Sequence, residues 1–288
     1  MTLQKLLEEG RERLKRAGVP DWSLDARYLL LEAFGLSLAS FLAVSGRELS
    51  DDSGTREKIR RFREMTERRA GRIPLQQILG VQDFMGLEFE VNEHVLIPRQ
   101  DTETLVELVL QEHPDPACQV LDLCTGTGCI AISLARLGGY GKVWALDLSE
   151  EALKVARRNQ QKLLKDYTGE FRLLKSDLFK EIPKGEKFDI LVSNPPYIPK
   201  KVIEELEPEV RDYEPRMALD GDEDGLKFYR ILARESGRFL KKGGAIYLEI
   251  GWDQGLAVEG LLAEAGFQEI RTVQDLAGKD RVVCGGWP

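Results

Sequence analysis

The chain has 288 residues, 42% of them hydrophobic, enough for one large domain and a smaller one, each with a core. A formal net charge of −8 gives no global grip on nucleic acid, and Lys5 followed by Glu8 and Glu9 shows no signal-peptide apolar core. Cys118, Cys124, Cys129 and Cys284 lack CxxC spacing and only His94 and His113 are available beside them, so free thiols, a cytoplasmic location and no metal are expected.

Thr2 is placed to cap a helix over 3–17, with Leu3, Leu6, Leu7 and Leu14 on one face; Gly18 and Pro20 end it. Ser23 is expected to cap a second helix whose apolar stripe is Leu24, Tyr28 and Leu31, with Leu30 and Phe34. Further helices are expected over 38–44 and 52–70. The stretch 28–46 carries only one charge, Glu32, but Gly35 and Ser37 break it into two short buried helices, so no membrane span is expected. Residues 56–72 are rich in arginine and read as a solvated face, with docking of an acidic partner as the second reading. Residues 1–80 thus form a helical domain without a motif for chemistry, suited to substrate recognition. Residues 81–97 follow as a linker whose alternation around Met85-Gly86 predicts a β-hairpin.

Asp101 or Thr102 is expected to cap a helix ending near Glu112. From there strands are expected at 119–123, 142–147, 170–175, 188–193, 245–250, 267–273 and 281–285, with helices at 128–137, 149–165, 225–240 and 254–265. This alternation predicts an open, mostly parallel α/β sheet with one antiparallel strand at or near the edge. The first strand runs into Cys124-Thr125-Gly126-Thr127-Gly128, a glycine turn before a helix start, which is a nucleotide-cradling arrangement. Its GxG spacing fits a nucleoside better than a dinucleotide. Asp147 ends the second strand, where an acid can accept both ribose hydroxyls; Asp177, before Leu178, can meet an adenine amino group.

The fourth strand delivers Asn194-Pro195-Pro196-Tyr197. Two prolines stop the strand, leaving the Asn194 amide oxygen and the Pro195 carbonyl as acceptors for a planar NH2 group that Tyr197 can cover. The segment from Asp220 to Gly225 resembles half a calcium loop, but Ile231 stands where a bidentate Glu is required. It reads as a turn, with Asp224 capping the next helix.

Together these residues resemble the class I S-adenosylmethionine-dependent methyltransferases, and within them the release-factor glutamine methyltransferases. The likeness runs from the helical module through Ile97-Pro98-Arg99-Gln100-Asp101-Thr102-Glu103, residues 122–128 and Asn194-Pro195-Pro196-Tyr197 to residues 213–225. It departs where Cys124 and Gln100 replace the family's usual glycine and proline; the small Cys124 is expected to keep a negative φ. The resemblance implies a Rossmann-like seven-stranded methyltransferase domain over 98–288, S-adenosylmethionine as cofactor and S-adenosylhomocysteine as product. Residues 124–128, Asp147, Asp177, Leu178 and Asn194 would bind the cofactor. Asn194, Pro195 and Tyr197 would act in catalysis, and with Pro196 would hold the substrate, a glutamine of a class I peptide chain release factor. A cytoplasmic monomer is expected. The rival is a nucleic-acid adenine amino-methyltransferase, whose target is also an NH2 on a planar system. Ten acids between 203 and 224, against Arg211 and Arg216, would repel a phosphate backbone beside that site. A nucleoside-binding regulatory module leaves Asn194 to Tyr197 unexplained.

Overall fold

Leucine spacing builds the first helix: α1 (Leu3–Arg16) buries Leu3, Leu6, Leu7 and Leu14, and Thr2 caps it by accepting the Lys5 N–H. Residues 1–288 are described by a computed structural model. Cα packing separates two units, Met1–Gly80 with Glu207–Tyr213, and Val81–Leu206 with Glu214–Pro288.

In the first unit α1 is followed by α2 (Trp22–Phe34), α3 (Leu38–Val44), α4 (Ser53–Ala70) and α5 (Leu75–Leu79). Gly10 of α1 lies against Phe62 of α4 so closely that a Cβ would sit 2.5 Å from the ring. The expected face of α2 holds at Leu30, Phe34 and, partly buried, Leu31, and fails at Leu24 and Tyr28. Its buried residues are Asp25, Ala26, Leu29, Leu30, Ala33 and Phe34, while Leu24 and Tyr28 are exposed. The cause is Asp25, turned inward to accept from Arg69 Nε at 2.6 Å, with both side chains buried. Burial raises the Asp25 pKa and Arg69 opposes that shift. Ser23 lies inside the first turn of α2, which starts after Asp21 without a side-chain cap. Arg69 also corrects the solvated reading of 56–72, since its Nη1 reaches Glu209 at 2.9 Å while Arg72 Nη2 meets the other Glu209 oxygen at 2.5 Å. Breaking such a buried pair from one side costs about 3–5 kcal/mol. No single helix is long and apolar enough to cross a membrane; α2 and α3 pass the test only as a pair bent by 87°.

The second unit begins with the hairpin β1 (Val81–Phe84) and β2 (Leu87–Glu90), turned by Met85 and Gly86, both at positive φ. A 3-10 turn, Gln100–Thr102, leads into α6 (Glu103–Glu112). Thr102 makes no capping hydrogen bond there; its side chain faces Asn194 instead. The main elements then follow as β3 (Gln119–Leu123), α7 (Cys129–Ser133), β4 (Lys142–Asp147), α8 (Glu150–Leu163), β5 (Glu170–Lys175) and β6 (Phe188–Ser193). A longer β7 (Leu240–Glu249) precedes β8 (Gln268–Gln274) and β9 (Asp280–Gly286), with helices Lys227–Ser236 and Gly255–Glu264 before and after β7.

The seven strands order as β5-β4-β3-β6-β7-β9-β8, all pairs being parallel except those made by β9. Both faces are covered, so Val120, Ile190 and Val192 enter one core and Leu121, Leu123 and Leu191 the other. Each such side chain contributes about 1.5–3 kcal/mol by burial. Strand order reverses between β3 and β6, and at that point the carboxyl ends of an α/β sheet open a crevice.

Candidate active site

The crevice is a cleft of about 250 Å³ whose walls include Gly126, Asp147, Asp177, Leu178 and Asn194. β3 delivers its turn through buried groups. Asp122 accepts from Thr125 Oγ1 at 2.5 Å, Thr125 N–H donates to the Leu146 carbonyl at 3.0 Å, and Gly128 N–H to the Thr125 carbonyl at 2.8 Å. Burial, helped by the charge of Asp147, pushes the Asp122 carboxyl up to about 7 against the Thr125 bond. Gly128 has φ +82°, and a Cβ on it would lie 2.9 Å from Ile132 Cδ1, so glycine is required for the helix to start here.

Thr125, Thr127 and Gly128 are not cleft walls. Thr125 is committed to Asp122, while Thr127 accepts the Cys129 N–H at 3.3 Å and its carbonyl is held by Asn159 at 3.0 Å. These residues shape the turn from behind, and Cys124 and Gly126 face the cleft. Cys124 overturns one expectation, since its φ is +63°. That left-handed conformation costs an L-residue roughly 1–2 kcal/mol and costs glycine little. Cys124→Gly is therefore expected to stabilise the protein by about 0.5–1 kcal/mol, the backbone gain outweighing the lost thiol contacts. A lowered thermal midpoint would show that the buried thiol matters more.

Asp147 closes the turn from the next strand. Its Oδ2 accepts the Gly126 N–H and its Oδ1 the Ser149 N–H, each at 2.8 Å. Burial raises its pKa, and the three backbone donors Ser149, Gly126 and Leu148 pull it down. Each oxygen keeps a lone pair for a further donor in the cleft. Asp177 is exposed at the rim, paired with Lys180 at 2.6 Å, while Leu146, Leu148, Leu178 and Phe228 line apolar walls. Apolar walls with the Asp147 and Asp177 carboxylates and a glycine turn suit an uncharged planar base on a diol-bearing sugar.

At the end of β6, Ser193 Oγ donates to the Leu123 carbonyl at 2.7 Å, locking the adjacent strand ends. Asn194 and Pro196 then line the cleft, whereas Pro195 is buried and outside its walls. Tyr197 is also outside the walls and half-buried; burial raises its pKa, helped by the charge of Glu249 and opposed by those of Arg281 and Arg99. Gln254 Nε2 donates to the Tyr197 carbonyl at 3.0 Å, and Gly225 lies so close that a Cβ there would sit 2.3 Å from that oxygen. Asp224 does not cap the following helix. It accepts the Leu226 N–H at 3.1 Å and pairs with Arg230.

Several walls come from segments to which sequence gave no role. Glu93 to Leu96 reach the rim because Val91 and Val95 pack on Ala152 and Val155 of α8. Pro215 and Met217 are brought there by Glu214, which is buried and accepts from Arg99 Nη2 with both oxygens at 2.7 Å. Its burial raises its pKa and Arg99 opposes the shift. A signal was present, because both ends of this ion pair lie in motifs singled out from sequence.

Residues 5–80 match the family described as the PrmC N-terminal domain, and residues 114–274 match a methyltransferase domain. The chain is 43% identical to the release factor glutamine methyltransferase of Caulobacter vibrioides, over 99% of this chain and 96% of that one. It is 40% identical to the protein of the same name from Geobacter sulfurreducens, again over 99% and 96%. A solved methyltransferase from Pyrococcus furiosus covers 70% of this chain and 90% of its own at TM-score 0.51 and 18% identity, a likeness of fold.

Proposed function

This chain belongs to the release factor glutamine methyltransferase family, and on that premise we propose that the cleft at the carboxyl ends of β3, β4, β5 and β6 is its active site. The enzyme methylates a release-factor glutamine on its side-chain amide nitrogen, using S-adenosylmethionine. When bound, S-adenosylmethionine supplies an electrophilic methyl group on a sulfonium. Asp147 would hold the ribose hydroxyls, Asp177 the adenine amino group, and Leu146, Leu148 and Leu178 the apolar faces.

The observation that carries this reading is the position of Asn194, which lines the same cleft as Gly126 and Asp147. An amide nitrogen is a poor nucleophile because its lone pair is delocalised into the carbonyl. With the Asn194 oxygen accepting one of its hydrogens from the cleft wall, and the Pro195 carbonyl the other from beside that wall, the lone pair would be turned toward the methyl group. Such positioning supplies several kcal/mol, about 7–11 in ideal intramolecular cases. As the N–C bond forms, the S–C electron pair stays on sulfur, and positive charge develops on nitrogen beside the two acceptors and the Tyr197 ring. The nitrogen then loses its proton to water. The fitting substrates are class I peptide chain release factors, leaving S-adenosylhomocysteine. The test is methyl incorporation from labelled cofactor into a purified release factor, located by mass spectrometry. Label retained after Gln→Ala at the target would refute the reaction.

The helical domain supplies recognition in this reading. Leu24, Tyr28, Leu38 and Leu42 are large exposed apolar residues on α2 and α3, suited to a protein surface. Tyr28→Ser and Leu42→Ser are each expected to raise KM for the intact release factor about 5–30-fold, with kcat and cofactor affinity unchanged. Unaltered KM in both variants would place recognition elsewhere.

A further inference from the structure

Glu249 ends β7, one residue beyond the Ser193–Leu248 pair, and so stands beside Asn194 at the end of the neighbouring strand. It is only 2% exposed, and its Oε2 has no hydrogen-bond partner. The Thr102 and Asn194 side chains are the polar neighbours that favour its charged form, and Asn194 Nδ2 faces Thr102 Oγ1 at 3.5 Å. Acceptors therefore stand behind the Asn194 amide while its residue lines the cleft in front. The two orientations of that amide are chemically opposite. With the NH2 inward, two N–H groups meet the Glu249 and Thr102 acceptors, and Oδ1 is presented to the target. Flipped, Oδ1 would oppose the carboxyl oxygens, and N–H groups would confront the N–H groups of the target amide.

We propose that Glu249, together with Thr102, is a positioning residue that keeps the Asn194 oxygen turned toward the target amide. The inference rests on the clamp reading of Asn194 given above. Arg281, held by Asp275 at 3.1 Å and Asp101 at 3.2 Å, is the nearby cation that offsets the Glu249 charge. Burial pushes the Glu249 carboxyl up to about 7. In either protonation state one of its oxygens remains an acceptor.

The test is a two-by-two cycle of Glu249→Gln and Asn194→Asp, measuring kcat and KM on an intact release factor at saturating S-adenosylmethionine. With Asn194 present, Glu249→Gln presents either an acceptor or a donor to the amide, and kcat is expected to fall about tenfold with KM within about twofold. In the Asn194→Asp background either oxygen serves, and losing Glu249 removes a neighbouring like charge. There the same substitution is expected to leave kcat unchanged or raise it. A purely structural role would lower kcat in both backgrounds. Equal losses in the two, or wild-type kcat for Glu249→Gln alone, would overturn the positioning role and leave the clamp standing. An inactive Asn194→Asp enzyme would overturn the clamp and this inference with it. Thr102→Val provides an independent variant, expected to show the same dependence on the residue at 194; equal losses there also overturn the proposal.

Discussion

Asn194→Ala is expected to leave S-adenosylhomocysteine affinity within about twofold of wild type and to slow single-turnover methyl transfer by about 10²-fold or more. On the protein side its amide faces Thr102, at a long 3.5 Å, and the Glu249 carboxyl, so its loss chiefly removes an acceptor from the cleft. Asn194→Asp keeps an acceptor in the same place and is expected to retain partial activity, lowered by a second carboxylate close to Glu249. Tyr197→Phe should matter little, because the ring face is what meets the developing charge, whereas Tyr197→Ala should be severe. The measurement is a single turnover on a release factor carrying its target glutamine. Wild-type rates for Asn194→Ala would rule out the amide clamp.

The central strands β3, β4 and β6 were legible because they are short and mostly apolar runs. Phe188–Ser193 is buried on both faces, and only a central parallel strand accommodates such a run. The glycine turn and Asn194-Pro195-Pro196-Tyr197 were legible for a related reason, since positive φ and missing N–H donors restrict which residues the backbone accepts. What was not legible depends on contacts distant in sequence. The inward face of α2 is fixed by one ion pair to Arg69, 44 residues on, which outweighs the apolar stripe of Leu24 and Tyr28. Glu207–Tyr213 packs with the helical unit through Glu209 and through Tyr213, whose hydroxyl donates to the Gly71 carbonyl at 2.7 Å. Nothing local in an acidic stretch announces that.

Glu249 carried a local signal of its own. It lies in an otherwise apolar strand segment, Ala245 to Ile250, and a lone acid at a strand end was the signal used for Asp147. At Cys124 small size is no guide to φ, which is +63°. Conformation at that position is imposed by the Asp122–Thr125 and Asp147–Gly126 bonds on either side, whatever residue is present.

Asp147→Ala is expected to weaken S-adenosylhomocysteine binding by at least about 10²-fold. Two contributions add. Hydrogen bonds from ribose hydroxyls to a charged group are worth about 1.5–3 kcal/mol each. The same carboxylate also holds the Gly126 N–H at 2.8 Å, so its removal frees the turn that forms the opposite wall and adds an ordering cost to binding. Asp147→Asn separates the contributions. It keeps one oxygen of similar shape but must present an NH2 group either to the Gly126 and Ser149 donors or to the ribose, so its loss should be intermediate. Calorimetric titration at a pH well above the carboxylate range is the measurement, because burial raises the Asp147 pKa and a protonated carboxyl is a weaker acceptor. KM for the release factor at saturating S-adenosylmethionine should stay near wild type in both variants, since Asp147 and Asn194 close the cleft from different strand ends. Unchanged affinity in Asp147→Ala would move the ribose out of this cleft.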